Sequence, residues 1–443
     1  MMKRRDFLKA SAVTVAATGL AKAAHGRPDG WDDILKGRSG YPCLQLFTDE
    51  ESAQFRILAD GQQSLLYSAI DPNGAVQKLK LLSRTANPFT ASAQRLDHLY
   101  VDGLTPGVDY RLEIKNSKTG ALIDSRIFQT LRSSTDRAVN FAMVSCMHDW
   151  IPTQSQMWKS LEEMRPTMIF FIGDTCYTDW DSNGSMADHW RRNFETRQML
   201  DIFWWKRLTP VMATWDDHDF GADNSNKTNP KKEGTKEAFK TMFGAVERPG
   251  LTFGPGVSSV MSLFGQKFCL LDGRYFRDPV GTENGLHWGD EQEAWLFDQI
   301  GNSTEPVWLM SGSQFFGAYL KKESAESDHP FQLKRMMERL ATVPAPVVFG
   351  SGDIHFSELM KIEKEHLGYP TIEVTSSSMH STTYPTMHRR AVNPRRITKA
   401  GVWQHNFVMV ESEAAESGAL KIRTRSIGMN RALYFDHSFE IVR

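Results

Sequence analysis

Four apolar runs in this chain each end in residues that can do chemistry. Residues 168–172 (Met-Ile-Phe-Phe-Ile) lead into Gly173-Asp174, with Tyr177 three positions on. Residues 141–145 lead into Cys146, His148 and Asp149, and residues 211–215 into Asp216, Asp217, His218 and Asp219. Residues 347–352 lead into Asp353 and His355. An unbroken apolar run reads as a buried strand. Open α/β sheets keep their sites just beyond such strand ends, and a glycine there lets the backbone turn close to a ligand. Four ends of this kind suggest convergence on metal. A carboxylate such as Asp174 can be shared by two cations about 3.5–4 Å apart. The acids after Trp215 repel one another, and a cation removes that repulsion. The Asp353-x-His355 spacing points both side chains the same way from an extended backbone. Cys146, and equally Cys176, could bind as a thiolate, and Tyr177 as a phenolate to a hard trivalent ion. Asn224 and Asn226 are spare oxygen donors, whereas Asp179 and Asp181 read as surface acids.

The elements that must position these residues are of two kinds. Between residues 40 and 132 the text is short alternating strands separated by turns such as Asp71-Pro-Asn-Gly74 and Thr105-Pro-Gly107. A β-sandwich of about seven strands fits this stretch. Leu104 and Tyr110 bracket a turn similar to the tyrosine corner of fibronectin type III domains, and no site cluster falls here. From 138 to 443 apolar strands alternate with helices, which predicts an α/β sandwich. Strands are expected near 139–145, 167–172, 210–215, 267–272, 306–311, 346–351, 371–376 and 406–411. Helices are expected near 154–163, 187–207, 235–243, 290–299 and 331–340.

Residues 1–23 read separately, as a signal: paired arginines in Lys3-Arg4-Arg5, a weakly apolar run, and Ala21-Lys22-Ala23 as a cleavage site. Arg-Arg-x-Phe-Leu-Lys resembles the twin-arginine export signal. That predicts a periplasmic or secreted protein with the twin-arginine machinery as a partner. The net charge of −1 falls to about −5 when five basic residues and one acidic residue leave with the signal. Such a balance carries no nucleic-acid-binding signature, and no later run is long enough to be a transmembrane segment. The four cysteines, 43, 146, 176 and 269, could pair in three ways in an exported chain. Cys269, inside an apolar run, reads as core.

The site segments resemble the metallophosphoesterase superfamily, whose pattern is Asp-x-His, Gly-Asp-x-x-Asp, Gly-Asn-His-Asp/Glu and Gly-His-x-His. They depart from it at Cys146, Tyr177, Asp217 and Asp353. Those departures resemble the alkaline phosphatase D (PhoD-like) family. Its motifs are Ser-Cys, Gly-Asp-x-x-Tyr, Trp-Asp-Asp-His-Asp/Glu and Gly-Asp-x-His. Residues 271–277 and 289–296 are similar to two further segments of that family. The resemblance implies a metallophosphoesterase-type α/β sandwich preceded by a fibronectin III/Ig-like β-sandwich. It implies Fe3+ with Ca2+ as cofactors, other divalent ions being admissible. Cys146, Asp174, Tyr177, Asp217, Asp353 and His355 are the implied ligands. The expected reaction is phosphate-ester hydrolysis by a metal-activated hydroxide. His218 and Asp217 are the catalytic candidates, His218 to protonate the leaving oxygen or to orient Asp217. Arg274 and Arg277 either bind substrate phosphate or form structural ion pairs. The basic loop 376–396 is expected at the entrance or as a solvated loop. A small-molecule phosphate ester or a phospholipid is the implied substrate. Alternatives are a phosphodiesterase or phospholipase D-like activity on the same site, and a non-catalytic surface-binding protein. An exported oxidoreductase lacks its cofactor fingerprint in this sequence.

Overall fold

Phe141 sits where two sheets meet. Its ring packs edge-on against Phe170 at 5.2 Å, Phe268 at 5.5 Å and Trp308 at 5.2 Å. Edge-to-face pairs of this kind add about 0.5–1.5 kcal/mol each beyond area burial. Phe141 and Phe170 belong to a six-stranded sheet, ordered Val211–Thr214, Met168–Ile172, Ala138–Val144, Phe407–Ala414, Leu420–Ile427 and Leu433–Ile441. Phe268 and Trp308 belong to an eight-stranded sheet. Its order is Leu251–Phe253, Ser259–Leu263, Gln266–Leu270, Val307–Met310, Val347–Ser351, Thr371–Thr375, Ser357–Ile362 and Arg396–Val402. This computed structural model describes residues 37–443 except 92, 133–135, 152, 181 and 321–322. The 1–23 signal, most of the 133–136 linker and Asp181 lie outside the described residues.

The alternation along each strand explains the layering. Phe141, Met143, Phe170 and Ile172 face the core between the sheets, which helices Gly289–Ile300 and Pro330–Leu340 extend with Leu296, Leu333 and Met336. The intervening Ala142, Val144, Ile169 and Phe171 face a second core with Trp158 and Phe243 from helices Gln154–Met164 and Lys232–Phe243. Strands buried on both faces have no polar side to alternate with, so their sequences are continuous apolar runs. The central strands are parallel in both sheets, and their pairing is level. Ile172 lies opposite Thr214, Phe171 opposite Val144, and Met310 opposite Gly350. Equal register brings the chain beyond each strand, and its polar residues, to one common edge.

The amino-terminal part forms two four-stranded antiparallel sheets. One is ordered Cys43–Thr48, Ala53–Asp60, Gln94–Val101 and Lys80–Ala86. The other is ordered Val76–Lys78, Leu65–Ile70, Asp109–Asn116 and Leu122–Gln129. They enclose their own core around Phe55, Leu99, Leu112 and Phe128. The Tyr110 hydroxyl accepts the Thr105 N–H at 2.8 Å. Polar ties link these sheets to the rest: Arg126 Nη1 donates to the Trp205 carbonyl at 2.8 Å, and Val246 N–H to Gln54 Oε1 at 2.7 Å. Residues 39–443 make one compact unit.

Several elements differ from the sequence expectation, among them strands Ser357–Ile362 and Arg396–Val402, which complete the eight-stranded sheet. The helix expected over 187–207 stops at Met199, and a short 3-10 turn, Asp201–Trp204, follows. Leu200 there is extended, and the Trp204 indole donates to the Gln198 carbonyl at 2.9 Å, folding the chain back. The carboxy-terminal strands after residue 411 alternate buried and exposed positions, as in Leu420–Ile427, because they form the antiparallel edge of the six-stranded sheet.

Candidate metal centre

The level strand ends place three adjoining groups of metal-ligand atoms together. Cys146, Asp174 and His355 form one; Asp174, Asp217 and His218 form a second; Asp216, Asp217 and Asp353 form a third. Within each group, one ligand atom per residue lies within 4.8 Å of the others. Asp174 is common to the first two groups and Asp217 to the last two. The Tyr177 hydroxyl lies 3.5 Å from Asp174 Oδ2, so the phenol borders the first group. Cys146, Asp174, Tyr177, Asp217, Asp353 and His355 thus all lie together, with His218 among them.

The backbone is bent to achieve this. Cys146, Asp174, Asp353 and His355 all have left-handed φ, between 52° and 68°. Each costs roughly 1–2 kcal/mol in a residue with a Cβ, and such conformations gather at functional sites. Gly173 (φ +90°) must be glycine: a Cβ there would fall 2.7 Å from Asp216 Cβ and 3.1 Å from Gly312 Cα.

The electrostatics are those of acids crowded out of water. Burial pushes the Asp174 carboxyl well above the usual range, and the negative charges of Asp217, Asp216 and Asp219 add to it against the opposing pull of His218. Burial and Asp216 likewise raise Asp353. Burial also opposes ionisation of Asp217, but the Arg274 guanidinium and His218 outweigh it and hold Asp217 low. His218 is pulled the other way: burial disfavours its charge, yet Asp174 and Asp217 raise it well above an ordinary imidazole. Asp174 Oδ1 and Asp353 Oδ2 are buried and have no hydrogen-bond partner among the described residues. A buried carboxylate oxygen without a donor is costly unless a cation satisfies it. The donor set fits that cation. Carboxylates suit hard ions, and thiolate and imidazole suit transition metals. His355 Nδ1 lies 2.5 Å from the Thr382 carbonyl, so it carries the proton and leaves Nε2 free to ligate.

The remaining sequence candidates fall as follows. Arg274 is fully buried; both its Nε and its Nη2, the latter at 2.9 Å, bond to Asp216. Its Nη2 also lies 3.7 Å from Asp217. Arg277 is buried against Asp328 at 2.5 Å and Ser313 Oγ at 3.2 Å. Both arginines therefore sit in ion pairs, one of the two roles their sequence leaves open. Asn224 acts through its main chain, donating N–H to Asp217 Oδ2 at 2.6 Å, while the Asn226 side chain accepts from Thr228. All four cysteines are free and buried. Cys176 faces Thr196 Oγ1 at 3.2 Å, away from the ligand groups, and burial pushes its thiol up to about 12. Of the basic loop 376–396, residues 376–381 are buried against the Cys146 turn, while Arg389 and Arg390 are exposed.

Other residues matter that motif reading passes over. Asp179, expected as a surface acid, bonds His218 Nδ1 at 2.8 Å. The distance in sequence, 39 residues, hides this pair. Asp219 accepts from the N–H groups of Thr175 and Cys176 and locks the turn after Asp174. The His148 and His218 rings both pack against Tyr177, at centroid distances of 4.6 and 4.3 Å. A cleft of about 1430 Å3 opens at the other end of the parallel strands, near Pro166 and Pro210. Its lining mixes Lys159, Arg165 and Arg207 with Asp109, Glu163 and Glu411, without convergence on one charge.

Residues 1–21 match the TAT (twin-arginine translocation) pathway signal sequence, which directs a chain to a secreted or periplasmic location. No helix among the described residues is long and apolar enough to cross a membrane. The chain is 22% identical over 315 residues to alkaline phosphatase D of Bacillus subtilis (strain 168), covering 59% of this chain and 53% of the relative. It thus spans about half the length of the curated relative it matches. A solved structure titled "Structure of PhoD" superposes with a TM-score of 0.67 at 17% identity, covering 92% of this chain and 88% of that one. The α/β fold is therefore shared with that structure.

Proposed function

We propose that this chain is a PhoD-like exported phosphoesterase, a reading that the two matches support, working at a metal centre held by Cys146, Asp174, Tyr177, Asp217, Asp353 and His355. The observation that carries this reading is the pair of buried carboxylate oxygens, on Asp174 and Asp353, left without donors inside the ligand groups. Fe3+ suits the thiolate and phenolate end of the site, and Ca2+ the shared carboxylates. Bound there, such ions would neutralise phosphoryl charge and activate water.

The chain's own residues supply the rest. His218, braced through Nδ1 by Asp179 and raised by the neighbouring acids, holds a proton beside Asp174 and Asp217. It is placed to deliver that proton to a leaving oxygen. Asp217 stays charged because Arg274 and the Asn224 N–H face it. Arg274 and Arg277 act by fixing Asp216 and Ser313. We further propose that residues 40–132 are a fibronectin III/Ig-like domain with a positioning role, a reading supported by the Tyr110–Thr105 bond. The catalytic domain on this reading is 138–443.

Purified, metal-loaded protein should release nitrophenolate from a nitrophenyl phosphate monoester or diester, and Asp174→Asn should abolish that release. A panel of monoesters, diesters and phospholipids then defines the substrate class. Full activity in Asp174→Asn would remove the site assignment.

A further inference from the structure

Directly after strand Thr371–Thr375 the sequence runs Ser376-Ser377-Ser378-Met379-His380-Ser381. All six residues are buried. This segment lies against the back of the Cys146 turn. Met379 N–H donates to the Ser145 carbonyl at 2.9 Å, His380 N–H donates to the Cys146 carbonyl at 3.3 Å, and His380 Nδ1 lies 3.0 Å from the His148 carbonyl.

Two hydroxyls of the segment reach side chains of the metal centre. Ser377 Oγ lies 3.2 Å from Cys146 Sγ and accepts the His355 N–H at 2.9 Å. A hydroxyl has one proton to give; since the amide takes an acceptor position, that proton is free for sulfur. Ser145 Oγ, at 3.4 Å from the same sulfur, spends its proton on the Ser376 carbonyl at 2.7 Å. Ser377 is itself clamped by Ser357, whose Oγ accepts its N–H at 2.9 Å and donates to its carbonyl at 3.0 Å. Four residues on, Ser381 Oγ accepts from the Tyr177 hydroxyl at 2.8 Å, a bond that reverses when the phenol ionises, and the Ser381 N–H is tied to Ser378 Oγ at 2.7 Å. One short loop thus touches both site residues that are neither acid nor histidine.

We propose that Ser377 and Ser381 are positioning residues for the metal centre: the Ser377 hydroxyl donates to the Cys146 thiolate and the Ser381 hydroxyl to the Tyr177 phenolate. Each bond draws electron density from its ligand and so sets how strongly that ligand donates to the ion. This rests on the ligand set proposed above. Hydrogen bonds to ionised acceptors are the strong ones. Partners one step behind the ligands tune metal sites in general, as hydrogen bonds around a cysteine sulfur tune copper centres.

The test reads the ligands separately by absorption. The purified chain is loaded with Co2+ to report the thiolate-to-metal band, and with Fe3+ to report the phenolate-to-metal band. Losing a hydrogen bond makes the ligand more electron-rich and moves its band to longer wavelength. Ser377→Ala should shift the thiolate band and leave the phenolate band in place. Ser381→Ala should do the converse, while Ser377→Thr and Ser381→Thr, which keep the hydroxyl, should hold the wild-type positions. If Ser377→Ala does not fold, Ser381→Ala decides alone. Both bands unmoved in the alanine variants, or both moved equally by either variant, would overturn the proposal. Wild-type protein that takes up metal and shows neither band would overturn the ligand set, and this inference with it.

Discussion

Asp179 Oδ1 lies 2.8 Å from His218 Nδ1, while the His218 ring packs at a tilt against Tyr177 at a centroid distance of 4.3 Å. The carboxylate fixes which nitrogen carries the outer proton and favours the charged imidazole. Asp179→Asn keeps the size and loses the charge. It should slow hydrolysis of an alkyl phosphate about 10- to 100-fold and nitrophenyl phosphate much less, because nitrophenolate leaves without a proton. Steady-state rates on the two esters check this; equal losses on both would remove His218 from the acid role.

Metal-free protein holds Asp174 and Asp353 at a cost, with burial and the negative charges of Asp216 and Asp217 working against their ionisation. Asp174→Asn should therefore raise the melting temperature of chelator-treated protein, by about 1 °C per kcal/mol recovered, because the unfolding entropy grows with chain length. Added metal should stabilise wild type but not the variant. Thermal scans with and without metal read both effects.

Arg274→Ala leaves Asp216 buried without its partner. Removing one member of a buried pair costs about 3–5 kcal/mol. Urea unfolding should show a midpoint lowered to match, and Arg274→Lys should recover only part of it because a single ammonium cannot reproduce the two-point contact.

His98 and His189 are buried neutral, His98 beside Arg56 and His189 near Lys231. Burial lowers His98 to about 3 and His189 to about 4. Below about pH 6.5 the unfolded chain takes up protons that the folded chain refuses, so stability falls as pH drops from 6.5 towards those values and is level above. Each histidine should remove roughly 1 kcal/mol at pH 5.5. Unfolding curves at pH 7.5, 6.5 and 5.5 should show this loss, and His98→Gln or His189→Gln should lessen it.

The parallel strands and the convergence of their polar ends were legible because burial on both faces leaves continuous apolar runs, and each run ends where its polar residues begin. Ile172 before Gly173-Asp174 shows both features. The Asp179–His218 and Arg274–Asp216 pairs were not legible. They join positions 39 and 58 residues apart, and an isolated Asp179 looks like any surface acid. Ser377 and Ser381 were hidden for another reason. Serines in a run read as a solvated loop, and only the register of Thr371–Thr375 against Val347–Ser351 carries this one under Cys146. The break at Leu200 depends on a Trp204 indole finding a carbonyl, which periodicity does not encode.

The central claim is that the Cys146, Asp174, Tyr177, Asp217, Asp353 and His355 cluster holds metal that phosphate-ester hydrolysis requires. The direct measurement is nitrophenolate release from a nitrophenyl phosphate by the purified chain as isolated, after chelation, and after reloading with Fe3+ and Ca2+. The account predicts activity that chelation abolishes and reloading restores, with Asp174→Asn inactive in all three states. Activity that survives complete metal removal, or an Asp174→Asn variant as active as wild type, would contradict it.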